Sequence, residues 1–181
     1  MVAVPRDEFE RLWAAAQPRK ATPPAATLES AHYEAAIDGV KLEAGRCTWR
    51  VKRYVSRPTW LSLGRSNVAL KNLSWPDRPA VWGADADGGL WLWVDSPAGE
   101  LTASWSASGQ VIADETRFAL EFPAAISSTL TLTTPLQRQL LTDDAPVHSV
   151  AVDEDRQTWE LSLGSEADCR LRLMAATEEP A

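Results

Sequence analysis

The chain has 181 residues, 45% of them hydrophobic and 24% charged, with a net charge of −7 and an isoelectric point near 4.9. That length suits one domain of ordinary to large size, enough to bury about 70% of the surface an unfolded chain exposes. The acidic balance argues against non-specific affinity for nucleic acid or anionic membrane. The longest apolar runs, such as LWLWV at 90–94, are far too short to span a bilayer, so direct membrane insertion is not expected.

In chain order, the first predicted element is a short helix. Pro5-Arg6-Asp7-Glu8 places a proline and acidic residues where a first helical turn favours them. Phe9, Leu12, Trp13 and Ala16 follow at helical spacing and form one apolar stripe, which Pro18 ends. RKATPPAA, Arg19 to Ala26, has the composition of a linker. Residues 1–26 are thus a helix and proline-rich linker, and residues 27–181 the body.

From Thr27 the period changes to two. SAHYEAAIDG alternates Tyr33, Ala35 and Ile37 against His32, Glu34 and Ala36, and turns at Asp38-Gly39. CTWRVKRYV sets Cys47, Trp49 and Val51 opposite Thr48, Arg50 and Lys52. TWLSLG, VALKNLSW, PAVWG and LWLWV are shorter pieces. LTASWSA, RFALEF, STLTLTTP, TWELSLG and CRLRLMA alternate again. About ten short strands with turn signals between them predict an all-β fold, an antiparallel β-sandwich of jelly-roll or Ig-like type carrying the N-terminal helix. PLQRQLLTDDAP at 135–146 is the only other stretch suggesting a turn of helix.

LWLWV is apolar on both faces, with Trp91 and Trp93 on one side and Leu90, Leu92 and Val94 on the other. A strand apolar on both sides is usually covered on both sides. The facing sheet is one cover; the N-terminal helix, through Phe9 or Trp13, or else a partner is the second. Burial of the indoles in the core outweighs an exposed ligand platform, because burying a large aromatic stabilises by a few kcal/mol. Trp91, Trp93, Trp13 and Phe9 are the candidate binding residues.

Residues that would carry chemistry are sparse. The two histidines, His32 and His148, have neither HExxH nor paired spacing, so a metal site is not expected. No GxSxG elbow occurs, and no catalytic residues are assigned. Asp85-Ala86-Asp87-Gly88-Gly89 resembles part of a calcium loop, but the twelfth position is Ser96 rather than a closing glutamate, which favours a hairpin turn. VDEDR at 152–156 reads as a solvated acidic turn. Arg50, Lys52, Arg53 and Arg57 form a basic stripe that, with Tyr54 and Trp60 nearby, suggests a nucleic-acid surface, but the acidity of the whole chain favours a solvated strand face, partly neutralised by neighbouring carboxylates. Cys47 and Cys169 have no CxxC spacing; one long-range disulfide or two buried thiols both remain open, with the thiols favoured. No cofactor is implied.

VPRDEFERLW, a proline-rich spacer and SAHYEAAIDGVKLEAGRCTWRV, followed by VALKNLSWPDRPAVWG, GGLWLWVDSPAGELTASWSA and FALEFPAAISSTLTLTTP, resemble uncharacterised extracytoplasmic β-sandwich regions of large planctomycete-type bacterial proteins. The likeness covers most of residues 4 to 135 and fades afterwards. It implies sandwich segments of a larger exported chain, in the periplasm or at the cell surface, and carries no activity. MVAVPRDEFERLW meets charge after four residues and lacks a signal-peptide hydrophobic region, which by itself points to the cytoplasm, or to a chain lying downstream of a removed signal. The expectation is a non-catalytic structural or protein-interaction module that contacts a protein partner or neighbouring domain. A carbohydrate-binding module using exposed tryptophans, with a polysaccharide ligand, is the alternative.

Overall fold

The computed structural model describes residues 23–143, 145–153, 155–165 and 167–175. The helix expected around Phe9 and Trp13 lies outside the described residues, as do most of the linker and the contact expected between that helix and Trp91 or Trp93.

The described residues are all-β, in three sheets with a sandwich-like arrangement. The first two strands are long: β1 (Ala26–Asp38) and β2 (Lys41–Arg53) form a hairpin closed at Gly39, whose φ of 57° suits glycine. β3 (Thr59–Gly64), β4 (Ala69–Trp75), β5 (Arg78–Pro79), β6 (Trp82–Ala84) and β7 (Leu90–Val94) are short. β8 (Ala98–Ser108) is long again, and β9 (Gln110–Ile112), β10 (Glu115–Glu121), β11 (Ser127–Pro135), β12 (Arg138–Thr142), β13 (Val147–Val152), β14 (Arg156–Gly164) and β15 (Asp168–Ala175) complete the chain.

The large sheet has eight strands in the order β13-β14-β11-β1-β2-β8-β4-β5. Its neighbours are antiparallel except β1 and β11, which pair in parallel from Ser30 opposite Ser127 to Ala36 opposite Thr133. A four-stranded sheet, β12-β15-β10-β9, and a three-stranded sheet, β3-β7-β6, complete the fold. The inward residues of all three share one core. Leu28, Tyr33, Trp49, Leu101, Trp105, Leu130 and Leu161 come from the large sheet, Phe118 and Leu171 from the second, and Leu61 and Leu92 from the third. At its centre Tyr33 stacks on Phe122 (centroids 4.1 Å apart) and Trp105 meets Phe122 edge-on at 5.2 Å.

Two features depart from simple alternation. In β1 the buried positions step by three, from Leu28 to Ala31, at a bulge against β2. In β2 a bulge against β8 lies between Leu42 and Gly45, and Ala44 takes a φ of 51° there. The stretch from Pro135 to Thr142 is a turn that passes from the large sheet into β12 of the four-stranded sheet, not a helical turn: β12 pairs with β15 from Arg138 opposite Ala175 to Thr142 opposite Leu171, and Leu140 points into the core. A strand buries that leucine against Leu173 with one face, where a single helical turn would leave its backbone groups unpaired. Cys47 and Cys169 are buried thiols in separate sheets and are not joined in a disulfide, so of the two alternatives the structure contains the thiols.

Candidate functional site

The three-stranded sheet turns one face to the core and the other outward. Leu61, Leu63, Leu92 and Val94 point inward and are buried. Register puts the opposite set together: Trp60 pairs with Trp93, Ser62 with Trp91, and Trp91 with Gly83. Val81 joins them, because its carbonyl accepts the Trp93 N–H at 2.9 Å. Directly opposed residues of antiparallel strands share a face, so Trp60, Val81, Trp91 and Trp93 form one outward apolar surface. Trp60 is 49% and Val81 60% exposed, and Trp91 and Trp93 are half-buried. The Trp60 and Trp93 rings lie 5.2 Å apart and are tilted by 58°.

The turn after β6 holds one end of this face. Asp85 Oδ1 accepts the N–H groups of Asp87 at 3.0 Å and Gly89 at 2.8 Å, and its Oδ2 accepts the Trp91 indole N–H at 2.8 Å. Gly88, at φ 80°, supplies the left-handed residue the turn requires. The Trp91 indole, and after it the Gly89 amide, holds the Asp85 carboxyl below its ordinary range. The DADGG segment is therefore a hairpin turn whose leading carboxylate is engaged by its own backbone and by Trp91. Among the described residues no group of three or more metal-ligating side chains occurs.

The other tryptophans divide by role. Trp49, Trp75 and Trp105 are buried, and Trp105 donates its indole N–H to the Arg46 carbonyl at 2.9 Å. Trp159 donates to the hydroxyl of the buried Thr134 at 3.1 Å. The expectation that tryptophans serve the core holds for these, whereas the β3–β7–β6 sheet keeps a set of indoles at the surface. Trp60 and Val81 are not among the candidate binding residues read from the sequence: Trp60 alternates like any strand residue, and only the register shows that it stands beside Trp93.

Two of the four residues of the basic stripe, Lys52 and Arg53, have partners within the fold. The Arg53 guanidinium donates to the carbonyls of Val55, Asp95 and Ser96, and Lys52 lies 3.5 Å from the Glu29 carboxylate. A second polar feature crosses the outer face of the large sheet. Ser162, Thr129, His32, Thr48, Thr102 and Ser74 stand in one row across six strands by register. His32 bridges the Thr129 hydroxyl at 2.7 Å and the Glu34 carboxylate at 3.0 Å, so both its ring nitrogens are used on the surface.

The fold defined by these sheets has counterparts among solved structures. It is similar to the M1 zinc metallopeptidase of Deinococcus radiodurans, with a TM-score of 0.52 and 10% identity over 82% of this chain and 42% of that one. It is also similar to native yeast LTA4 hydrolase, with a TM-score of 0.57 and 8% identity over 98% of this chain and 34% of that one. At such identity the likeness is one of fold. The chain spans less than half the length of these proteins. No protein-family model and no curated protein matches the sequence.

Proposed function

We propose that the chain is a non-catalytic interaction module of a larger extracytoplasmic bacterial protein, and that the Trp60/Trp93 face is its contact surface. The observation that carries this reading is the outward apolar face itself: two opposed indoles and Val81 left open on a sheet whose other side is already core. Contiguous apolar surface rimmed by polar groups marks contact sites, and tryptophan is prominent among residues that dominate interface energy. That the fold's solved counterparts are segments of longer chains supports the modular part of the reading.

A sugar ligand is the second reading, favoured by the exposure of Trp60. Because Trp60 and Trp93 are tilted by 58°, the two indoles do not make one flat platform for successive coplanar sugar rings. Immunoblotting of fractionated source cells with antibody against this chain tests the first reading. A band well above 19.8 kDa in the exported fraction is expected, and a 19.8 kDa band confined to cytosol would overturn it. Protection of Trp60 fluorescence from acrylamide by soluble oligosaccharides, lost in Trp60→Ser, would establish the sugar reading instead.

A further inference from the structure

We propose that in the intact chain the Trp60/Trp93 face is covered by the chain's own N-terminal segment, through Phe9 and Trp13, so that an outside partner must displace it. The inference rests on the reading of this face as a contact surface and adds what occupies it beforehand.

Three observations point to this occupant. The first is where the chain begins its described course. The Ala25 carbonyl accepts the Tyr54 N–H at 2.8 Å, and Ala26 pairs with Arg53. Arg53 in turn binds the Pro97 carbonyl through its backbone N–H, and the Asp95 and Ser96 carbonyls through its guanidinium. Asp95 directly follows Val94, the last residue of β7, and Val94 pairs with Thr59 at the start of β3. The chain therefore enters the fold beside the end of the small sheet that carries Trp60 and Trp93.

The second observation is reach. Nine residues lie between Trp13 and Pro23; with a helix ending at Pro18, the five steps from Pro18 to Pro23 extend up to about 17 Å and the helical turn from Trp13 to Pro18 adds about 7 Å. The gap to Trp93 is on the order of two residues along a strand plus one or two inter-strand spacings of about 4.8 Å.

The third is complementarity. Phe9, Leu12, Trp13 and Ala16 form a single apolar stripe in a segment otherwise rich in charge. A helix of about a dozen residues is marginal in water and depends on burying such a stripe. The face exposes apolar side chains of matching character, Trp60 and Val81, each about half exposed or more.

The test uses the full chain, isotopically labelled at the indole nitrogens, with the Trp60 and Trp93 signals assigned by Trp→Phe substitution. A soluble gadolinium chelate should relax these two signals several-fold more in the Phe9→Ser/Trp13→Ser variant than in the wild type. The signals of Trp49 and Trp105, buried in the core, should not change and so report that the variant is folded. Trypsin supplies the reciprocal measurement. Cleavage after Arg11 should be several-fold faster in Trp60→Ser/Trp93→Ser than in the wild type. Equal relaxation of Trp60 and equal cleavage across the variants in a monomer would overturn the inference and leave the contact-surface reading standing. Shielding of Trp60 that vanishes on dilution, with a dimer seen by sedimentation, would overturn it in favour of a second copy. A face that is shielded by the segment while the cell fractionation shows a cytosolic 19.8 kDa protein would leave the inference and remove the proposed function.

Discussion

Replacing Gly45 by alanine probes the joint between the longest hairpin and the aromatic centre. A Cβ at Gly45 would lie 2.8 and 2.9 Å from carbons of the Trp105 ring, and would also collide with the Trp105 carbonyl oxygen. The indole cannot swing aside freely, because it is buried, meets Phe122 edge-on and donates to the Arg46 carbonyl at 2.9 Å. The carbonyl belongs to β8, so relief requires β2 and β8 to part at the bulge. Overpacking of this kind costs about 1–3 kcal/mol, and loss of the indole hydrogen bond adds about 1 kcal/mol. A destabilisation of ~3 kcal/mol would lower Tm by roughly 6–12 °C for a domain of this size. Urea unfolding followed by indole emission and by far-UV circular dichroism measures it. Gly83→Ala is the control: a Cβ there meets no atom within 4 Å, and its effect should stay within about 0.5 kcal/mol. A Gly45→Ala protein as stable as the control would refute the close packing of Gly45 on Trp105.

Other outcomes follow from named groups. Burial pushes the Cys47 thiol up to about 12, and Cys169 is also buried and not in a disulfide; a thiol reagent at pH 8 should label neither in the native chain and both in urea without reductant. Because the Cys47 pKa is raised by folding, its contribution to stability is full below the unfolded value near 8.5 and is lost progressively as pH rises towards 12; alkaline unfolding should be eased accordingly, and Cys47→Ala should flatten that part of the profile. Asp85 is shifted the other way, so its contribution is present above an unfolded value of about 3.9 and is lost as pH falls through the lower folded one. The Trp91 indole N–H resonance should therefore move with pH only in the acid range, and in Asp85→Asn it should not titrate. Leu92→Ala, at a fully buried position of β7, should cost about 2–5 kcal/mol in urea unfolding, whereas Trp60→Ser on the opposite face should change stability by less than about 1 kcal/mol.

Much of the architecture was legible because the burial period of most strands is undisturbed. LTASWSA reads in β8 as written, with Leu101, Ala103 and Trp105 inward. STLTLTT does the same in β11, down to Thr134, buried because it receives the Trp159 indole. Where a bulge resets the phase, alternation misleads: no pattern in LESA announces the step from Leu28 to Ala31, and none in LEAG the left-handed Ala44 between Leu42 and Gly45. Periodicity also says nothing of partners. The parallel pairing of β1 with β11, and the assembly of a second layer from two separate sheets, depend on contacts between distant segments. β13, with its edge position beside β14, offered too little alternation in PVHSVAV to be placed. The candidate site was half legible. Trp91 and Trp93 could be put on one face from spacing alone, but Trp60 and Val81 enter only through the register.

The parallel union of β1 and β11 has a consequence for how the molecule is made. The strand nearest the beginning of the fold sits in the middle of its largest sheet, and one of its two neighbours is about a hundred positions later in the chain. During synthesis, the hairpin of β1 and β2 must wait with one edge bare until residues 127–135 leave the ribosome. Such long-range closure slows folding, and a bare edge invites pairing with the wrong strand. Any truncation ending before Ser127 would leave that edge permanently open and should accumulate as aggregate, whereas a break in the surface turn at Asp87-Gly88 should let the two fragments reassociate.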